Sequence, residues 1–489
     1  MLASKTPLLS TAEAAARPMV VPKARSIRFS ERRLLLASFD AFAINGAFLA
    51  GLLWRAEFHL SLRIVIWFVV LTAIWFICSS TLDCYNLMTS AKIGQSLSRT
   101  NIAVLATFVI DALLPFISPM LPTSRLDAAV SPVLALVGIT AWRSIYATVF
   151  VQPNFHQRAL VVGAGDAGRT LLHALKALGG TSNGKHGVGY EVLGFVDDDH
   201  EIHAQKIEGV AVLGGRSDLV RLVRQTRPDE LVLAITHWET IHPDLFASIL
   251  ECREQGVPIT TMATVYERLT GRVPIQHVGK TLSVALPLDE RASHRFYLVI
   301  KRSLDVLTGL AGCVLTAAVI PFIWCANRLF SPGPLFYKQE RVGMSGQVFM
   351  IFKFRSMVVD AEKGTGAVWA DKNDCRVTPV GRFLRLTRLD ELPQFWNIFK
   401  GEMSLVGPRP ERAHFVDRLN SEIPFYRIRH AVRPGLTGWA QIKYRYGASI
   451  EDSLAKLQLD LYYIKHQGLL LDAEILFQTI MVVLGLKGR

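Results

Sequence analysis

The stretch RALVVGAGDAGRTLLHAL, residues 158–175, joins a short apolar strand, a glycine turn and a helical pattern. Its glycines Gly163, Gly165 and Gly168 fit the spacing G-x-G-x-x-G, which lets a backbone approach a pyrophosphate at a helix N-terminus. Apolar strand patterns recur at residues 191–199 and 229–235, with helical patterns between them. The spacing predicts a doubly wound α/β domain over residues 157–260.

A candidate ribose-binding acid, Asp197, ends the second strand of this Rossmann-like unit. It follows the glycines by about 30 residues, behind a polar insert, where the pattern usually has about 20. The glycines could instead serve only the turn and the packing of helix on strand. Nucleotide binding through Gly163, Gly165, Gly168 and Asp197 therefore stays open. Residues 261–296 are expected to be a connector.

Four apolar runs precede this unit, at Leu34–Trp54 and at residues 64–82, 101–121 and 129–151. Each holds about 20 residues, enough to cross ~30 Å of hydrocarbon as a helix. They predict a four-helix transmembrane bundle over residues 31–152. Asp40, Asp111 and Arg143 lie inside these runs, where charges should face one another. We expect a structural pair such as Asp111–Arg143; a path for protons or substrate is the alternative.

Composition agrees with a membrane protein. Half of the 489 residues are hydrophobic and only 19% are charged. The net charge of +13 suits an anionic partner, and the apolar runs favour membrane lipids or a phosphorylated substrate over nucleic acid. Lysine and arginine are frequent in the tail, residues 1–30, which the positive-inside rule places in the cytoplasm.

A fifth apolar run, residues 301–334, is also long enough to span a membrane, but Pro321 lies inside it and should kink a helix there. The segment could cross completely, or dip in at the kink and return as a hairpin. Just at its start, Tyr297 and Lys301 match the Y-x-x-x-K pair of short-chain dehydrogenases. We attribute this match to chance, because the pair is far from the glycine motif.

Residues 335–442 are dense in arginine, lysine, carboxylates, glycine and proline. The guanidinium fork binds phosphate oxygens in a bidentate way. The candidates for binding substrate phosphates are Lys338, Arg341, Lys353, Arg355, Arg385, Arg409 and Arg433.

Carboxylates accompany these cations. In FKFRSMVVDAEKG, residues 352–364, the acids Asp360 and Glu362 follow the cations closely. Such carboxylates can hold Mg²⁺ together with substrate phosphates, or one can attack phosphorus. An ordinary surface salt bridge is the alternative. Asp390, Glu391 and Gln394 are supporting candidates, whose alternative is a structural role beside the nearby arginines.

Three motifs make the match to a family specific: KFRSM at 353–357, LDELPQFWNIFKGEMSLVGPRP at 389–410 and RPGLTGWAQI at 433–442. With them, the chain resembles the bacterial polyprenyl-phosphate hexose-1-phosphate transferases, the monotopic phosphoglycosyl transferases of exopolysaccharide synthesis. The resemblance covers the whole chain, and the specific motifs lie in its last third.

The resemblance implies transfer of hexose 1-phosphate from a UDP-hexose to undecaprenyl phosphate, with release of UMP. It implies that Asp360 attacks the β-phosphorus and that Glu362 holds Mg²⁺. Some members have the two acids adjacent, whereas Ala361 separates them here, so either could be the attacker. Asp390 and Glu391 are the reserve candidates.

The resemblance also implies an architecture. A re-entrant membrane helix over residues 297–330 would be followed by a mixed α/β catalytic domain over residues 331–489. That domain would lie on the cytoplasmic side of the bacterial inner membrane. Residues 475–486 could then form an interfacial helix or a core helix of the catalytic domain.

Two other functions remain open from the sequence. A membrane-bound nucleotide-sugar oxidoreductase or dehydratase would use the Rossmann-like domain, and a scaffold role could describe the first 300 residues or so. The sequence also leaves open which hexose is used, although glucose and galactose are usual in the family, and whether the chain forms a homodimer.

Overall fold

The computed structural model describes residues 29–54, 62–82, 84–85, 90, 93–114, 124–150, 157–179, 186–187, 190–203, 205–236, 241–277, 292–359, 361, 376–444, 447 and 449–484. Four helices form the N-terminal bundle: α1 Phe29–Trp54, α2 Leu62–Thr81, α3 Ile93–Ala112 and α4 Arg125–Ile145. Their mutual core is made of aromatic and aliphatic side chains, including Trp67, Leu71, Trp75 and Ile139.

Three of the four predicted membrane runs are confirmed as helices long and apolar enough to cross a bilayer: Leu34–Trp54, Leu62–Ser80 and Leu126–Val149. The run predicted at 101–121 is different. Its helix, α3, begins earlier, at Ile93, and includes polar residues such as Gln95 and Arg99, and the end of the run lies outside the described residues.

The predicted intramembrane ion pair exists, but its acidic partner was wrong. Arg143 of α4 pairs with Asp40 of α1 rather than with Asp111, and both side chains are fully buried. Arg143 Nη1 also donates to the Cys84 carbonyl at 2.7 Å. Thr140 of α4 donates to Asn101 of α3 at 3.1 Å, and Asp111 lies ten residues, or about 15 Å, further along α3. Helix α1 instead brings Asp40 directly beside Arg143.

A predominantly parallel sheet follows the bundle. Its strands are β1 Gln157–Val162, β2 His186–Gly187, β3 Tyr190–Val196, β4 Lys206–Ile207, β5 Val210–Gly214, β6 Glu230–Leu233 and β7 Ile259–Thr261. The order is β4-β5-β3-β1-β6-β7, with β2 beside β3. Strands β1, β3, β5, β6 and β7 pair in parallel.

Helices cover both faces of this sheet: α5 Asp166–Gly179, α6 Leu219–Thr226, α7 Pro243–Glu254 and α8 Met262–Thr270. Alternate residues of β1 enter different cores, as the period of two in a strand requires. Ala159 and Val161 pack in one buried cluster, and Leu160 and Val162 in the other. The prediction of an α/β domain in a membrane protein is thus confirmed.

One end of the four-helix bundle packs against the α/β domain. Leu36, near the start of α1, and Tyr146, just after α4, belong to the same buried cluster as Ala159 and Val161. The beginning of the first membrane helix and the end of the last one in the bundle therefore lie on the same side.

The fifth apolar run forms one helix, α9 Ala292–Phe330, of 39 residues. Phe296–Phe330 is long and apolar enough to cross a membrane. The helix is continuous through Pro321, so the structure has no separate hairpin arms. Instead, α9 contacts the following domain on both sides of the proline: Gly312 faces Phe395, and Ile323 packs with Phe354 and Leu384.

The C-terminal domain contains the hairpin β8 Phe336–Val342 and β9 Val348–Phe354, and a parallel pair, β10 Ser404–Val406 and β11 Gly435–Thr437. Its helices are α10 Pro379–Leu386, α11 Gln394–Lys400, α12 Ala413–Glu422, α13 Trp439–Lys443, α14 Ile450–His466 and α15 Leu469–Leu484. Ile475 of α15 is fully buried in the core of this domain, which favours the core-helix alternative for that face, and α15 also packs against α2.

The predicted connector is divided between the two domains. Met262 and Val265 of α8 pack on the parallel sheet, whereas Val273 and Ile275 are buried in the core of the C-terminal domain. The Val273 N–H donates to the Gln458 carbonyl at 3.1 Å. Within the described part of this segment, the chain is therefore built into both cores and is not a plain linker.

Candidate active site

A stiff loop carries the arginine at the centre of the site. The Arg409 loop, residues 407–411, has the sequence Gly-Pro-Arg-Pro-Glu and follows β10. The Gly407 N–H donates to the Thr437 carbonyl at 2.9 Å. A Cβ atom on Gly407 would lie 2.4 Å from the Arg433 carbonyl oxygen. The close approach of this loop to β11 therefore requires glycine, and the two prolines restrict φ on either side of Arg409.

Three elements bring one carboxylate between two cations. Glu391 ends the 3₁₀ turn Leu389–Glu391, Lys353 comes from β9, and Arg409 comes from its loop. Glu391 Oε1 accepts from Lys353 Nζ at 3.2 Å and from Arg409 Nη2 at 3.0 Å. The Glu391 and Lys353 side chains are 13% and 18% exposed, whereas Arg409 is 38% exposed. Arg409 can therefore reach a ligand while touching the buried carboxylate.

The pKa values of the neighbouring acids Glu391 and Asp390 are shifted in opposite directions. Burial works to raise the pKa of Glu391, but the charges of Lys353 and Arg409 outweigh it and lower that pKa. For Asp390, burial and then repulsion from Glu391 raise the pKa to about 6. Burial also lowers the pKa of Lys353, opposed by Glu391. Two cations therefore meet the single carboxylate of Glu391, so these three side chains together carry net positive charge and suit an anion.

Two other predicted phosphate ligands lie beside this cluster. Arg341 Nη1 donates to the Pro410 carbonyl at 3.0 Å and lies 3.7 Å from Glu411, so it holds the loop that carries Arg409. Arg433 Nε donates to the Gly401 carbonyl at 3.0 Å. Both arginines therefore support the main chain around the cluster.

The remaining predicted cations are placed differently. Arg355 is buried, and its guanidinium donates to the carbonyls of Pro334 and Ser331, which favours a brace at the end of α9 over a phosphate contact. Arg385 Nε donates to Ser356 Oγ at 2.9 Å. Lys338 is exposed and its ammonium lies 5.4 Å from the centroid of the Phe352 ring.

Gln394 is buried at the start of α11, and its Nε2 has no hydrogen-bond partner among the residues that the structure describes. The predicted nucleophile Asp360 and metal ligand Glu362 lie outside those residues. The ends of the segment that contains them are held together, because Met357 bridges Val377 and the Val358 N–H donates to the Arg376 carbonyl at 2.9 Å.

Close packing explains why glycine is required at two positions of the glycine motif in the α/β domain. Gly163 has φ +103°, and a Cβ atom there would lie 2.7 Å from the Ala234 carbonyl oxygen. A Cβ atom on Gly168 would lie 2.3 Å from the Gly163 oxygen, whereas Gly165 has nothing within 4 Å. Asp197 Oδ2 accepts the Ala164 N–H at 2.6 Å. The turn-and-packing reading thus accounts for Gly163 and Gly168, and Asp197 holds the glycine turn itself.

Two charged residues behind the Arg409 loop, Arg429 and Asp460, are not among the residues predicted from the sequence. Arg429 donates to the Arg409 carbonyl at 3.0 Å and to Asp460 Oδ2 at 2.9 Å. One signal was available: Asp460 interrupts the apolar stretch LQLDLYYI of α14. A charge in a buried helix face needs a partner, but its identity is a tertiary fact.

Models of two protein families match separate regions of the chain. A model of the bacterial sugar transferase family matches residues 296–486, which include most of α9 and the domain with this site. A model described as a CoA-binding domain matches residues 80–262, from the end of α2 through the parallel sheet.

Curated relatives match long stretches. The chain is 42% identical over 237 residues to the UDP-N-acetylgalactosamine-undecaprenyl-phosphate N-acetylgalactosaminephosphotransferase of Aeromonas hydrophila, covering 48% of this chain but only 54% of that protein. It is 31% identical over 335 residues to the UDP-glucose:undecaprenyl-phosphate glucose-1-phosphate transferase of Klebsiella pneumoniae, covering 66% and 67%. It is 31% identical over 359 residues to the UDP-galactose-lipid carrier transferase of Erwinia amylovora, covering 68% and 69%.

Proposed function

The chain belongs to the bacterial sugar transferase family, and from this membership we propose that it transfers a sugar 1-phosphate from a UDP-sugar to undecaprenyl phosphate. The products are undecaprenyl-diphosphate-sugar and UMP, and the reaction initiates exopolysaccharide synthesis. The names of the relatives support this class of substrates, because they combine a nucleotide sugar with undecaprenyl phosphate or a lipid carrier.

The observation that carries the proposal is the convergence of Lys353 and Arg409 on Glu391. Every UDP-sugar carries a diphosphate, and a guanidinium on a rigid loop binds phosphate oxygens in a bidentate way. The partly exposed Arg409 supplies that contact, while Glu391 keeps both cations in place.

The transfer proceeds through a covalent intermediate on Asp360. A carboxylate oxygen attacks the β-phosphorus, the bond to the bridging oxygen breaks, and UMP leaves with the electron pair. An oxygen of undecaprenyl phosphate then attacks the same phosphorus and displaces the carboxylate. Glu362 is the alternative attacker, because Ala361 separates the two acids.

We assign Mg²⁺ to Glu362 and the substrate phosphates. The chemistry of the donors fits, because Mg²⁺ prefers one or two carboxylates together with phosphate oxygens. Among the described residues, no group of three possible ligands could hold a metal ion. Glu391 is already engaged by two cations. When bound, the ion supplies neutralisation of charge on the phosphoryl oxygens.

The catalytic domain lies on the cytoplasmic side of the bacterial inner membrane, with α9 entering and leaving on that side as one continuous helix bent at Pro321. Contacts of α9 with the same domain before and after Pro321 support this arrangement.

A cysteine placed at the exposed position Gln347 tests on which side of the membrane the catalytic domain lies. In Gln347→Cys protein, an impermeant maleimide should label inverted vesicles above the wild-type background and leave right-side-out vesicles unlabelled. The opposite pattern would show that α9 crosses.

We infer that the α/β domain is a Rossmann-like unit, because its five parallel strands, numbered in chain order, are arranged 3-2-1-4-5. The alternative function as an oxidoreductase gains no support from Tyr297 and Lys301. Both bind Asp472 instead, at 2.9 Å and 2.7 Å, and thus tie α9 to α15.

The test is UMP release by detergent-solubilised protein with undecaprenyl phosphate and Mg²⁺. The donors are UDP-glucose, UDP-galactose and UDP-N-acetylgalactosamine, since the relatives are named for these three sugars. We expect one donor to be used and Asp360→Asn to abolish turnover. Release that survives in Asp360→Asn but not in Glu362→Gln or Asp390→Asn would move the nucleophile to that residue. No UMP from folded protein with any donor would overturn the function.

A further inference from the structure

We propose that Arg429 and Asp460 form a buried positioning pair, which fixes the main chain of the Arg409 loop and so aims the Arg409 guanidinium at the diphosphate of the donor. The proposal rests on the proposed function, since it assigns the pair a task in binding the UDP-sugar. Both residues act through Arg409 and not on the substrate.

The Arg409 loop is held at every residue. Two of its main-chain bonds join it to β11, and three join it to β8 and to the 3₁₀ turn Tyr426–Ala431. The bonds are Gly407 N–H to the Thr437 carbonyl, Gly435 N–H to the Pro408 carbonyl, Arg429 Nη2 to the Arg409 carbonyl, Arg341 Nη1 to the Pro410 carbonyl and Val342 N–H to the Glu411 carbonyl.

The bond from Arg429 is the one made directly behind Arg409. The same nitrogen, Nη2, donates to Asp460 Oδ2 at 2.9 Å, and Nη1 donates to the Tyr426 hydroxyl. The guanidinium also lies 5.0 Å from the centroid of the Tyr426 ring. The Arg429 and Asp460 side chains are 8% and 2% exposed, so water competes little for these bonds.

Stability alone does not account for the presence of the buried Arg429–Asp460 ion pair behind the Arg409 loop. A well-packed apolar pair of similar volume is often at least as stable as a buried ion pair. A guanidinium, however, holds several acceptors at fixed directions because its donors form a rigid planar fork. Asp460 fixes that fork and neutralises its charge, which leaves Arg409 as the cation of this loop that meets the anionic donor.

Loss of the Asp460 carboxylate should let the Arg429 guanidinium turn and release the Arg409 carbonyl. A misplacement of about 1 Å at a group that positions the substrate can reduce turnover about 10²-fold. We therefore expect Asp460→Asn to lower kcat/KM for the UDP-sugar by roughly 10- to 100-fold. The KM for undecaprenyl phosphate should change by less than about twofold, because the pair acts on donor binding.

The experiment measures UMP release by full-length protein in detergent. It compares wild type with the variants Asp460→Asn, Arg409→Lys and the double variant. If Asp460 acts through Arg409, the double variant should release UMP as slowly as Arg409→Lys alone, since the two effects share one step. Losses that multiply would overturn the proposal. Glu267→Gln is the matched control, because Glu267 is a buried carboxylate that binds Lys465 and His466 on the same helix, α14.

A second readout does not depend on turnover. Hydrogen exchange at the amides of the Arg409 loop should be faster in Asp460→Asn than in wild type, and unchanged in Glu267→Gln. Unchanged exchange in Asp460→Asn, or an equal effect of Glu267→Gln on exchange and activity, would refute the pair as a positioning device. If wild-type protein releases no UMP, the proposed function fails, and exchange alone still determines whether the pair holds the loop.

Discussion

At the residue scale, Glu391 organises the charge of the site. Its carboxylate meets Lys353 and Arg409, and all three come from different elements. An acid in this position would weaken binding of an anionic substrate if it stood alone. Because Glu391 binds Lys353 and Arg409, it holds the two cations close together in a half-buried place. There the electric fields of both cations attract the same anion.

Replacing Glu391 by glutamine should destabilise the protein. Removing one partner of a fully buried ion pair costs roughly 3–5 kcal/mol. Because Arg409 is 38% exposed and therefore screened, we expect a loss of about 2 kcal/mol. Thermal unfolding in detergent measures it. Glu422→Gln is the control, since Glu422 pairs with Arg418 on the surface of α12. Equal losses in the two variants would contradict this account.

The raised pKa of Asp390 predicts that the stability of the protein depends on pH. Its pKa is raised from 3.8 to about 6 by burial and by Glu391, so the folded state binds the proton more tightly than the unfolded state. The stability that this proton contributes is present below about pH 4 and is lost as the pH rises through about 6.

Replacing Asp390 by asparagine should remove that loss. Relative to wild type, the free energy of unfolding of Asp390→Asn should rise by about 2 kcal/mol between pH 4 and pH 7. Unfolding at several pH values tests this, with Asp417→Asn, at an exposed position on α12, as the control. A constant difference between Asp390→Asn and wild type would refute the raised pKa.

At the element scale, α9 joins the membrane to the active-site domain through small residues. A Cβ atom on Gly312 would lie 2.1 Å from Cγ of the Phe395 ring, and one on Gly309 would lie 2.9 Å from the Phe399 nitrogen. Arg302 of α9 also donates to the carbonyls of Ile398 and Phe399, at the end of α11. Helix α11 begins a few residues after Glu391, so the packing of α9 on α11 also supports the site.

Gly312→Ala should therefore force α9 away from α11. Overpacking of this kind costs about 1–3 kcal/mol, although alanine normally favours a helix by up to about 1 kcal/mol. Gly46→Ala is the matched control, because Gly46 lies in a membrane helix and a Cβ atom there meets nothing within 4 Å. We expect a lower Tm and lower UMP release in Gly312→Ala only. A stabilised Gly312→Ala protein would contradict the close packing.

At the scale of the whole molecule, the α/β domain and the catalytic domain share a joint. Glu267 of α8 binds Lys465 of α14 at 2.9 Å. The Trp439 indole donates to the Gly271 carbonyl at 3.1 Å. Beyond the joint, Val273 and Ile275 complete the core of the catalytic domain. The catalytic domain is therefore not complete if it is taken to begin at the membrane helix α9.

Truncation should reveal this boundary. A chain that begins at Gly271 keeps Val273 and Ile275, whereas one that begins at Ala292 loses both, and each buried aliphatic side chain contributes about 2–5 kcal/mol. We expect the longer form to unfold at a higher temperature and to release more UMP per molecule. Equal stability of the two forms would show that these side chains do not belong to the catalytic core.

The sequence alone established the elements and the chemical class. Apolar length predicted the membrane helices at Leu34–Trp54 and its neighbours. Apolar strands separated by a glycine turn and by helical patterns predicted the parallel sheet. Motifs dense in arginine and carboxylates predicted a phosphate site containing Lys353, Glu391 and Arg409. These properties are local: they depend on the period of a helix or strand and on residue chemistry within a short stretch.

Only the tertiary structure selected partners. Asp40 pairs with Arg143 across 103 residues, and Arg429 with Asp460 across 31. It also separated Arg355, which braces the chain at the end of α9, from Arg409, although the sequence predicted both as phosphate ligands. The physical reason is that a buried charge is stabilised by whichever opposite charge the packing of elements brings near it. That neighbour depends on how distant elements pack, which the local pattern of residues does not encode.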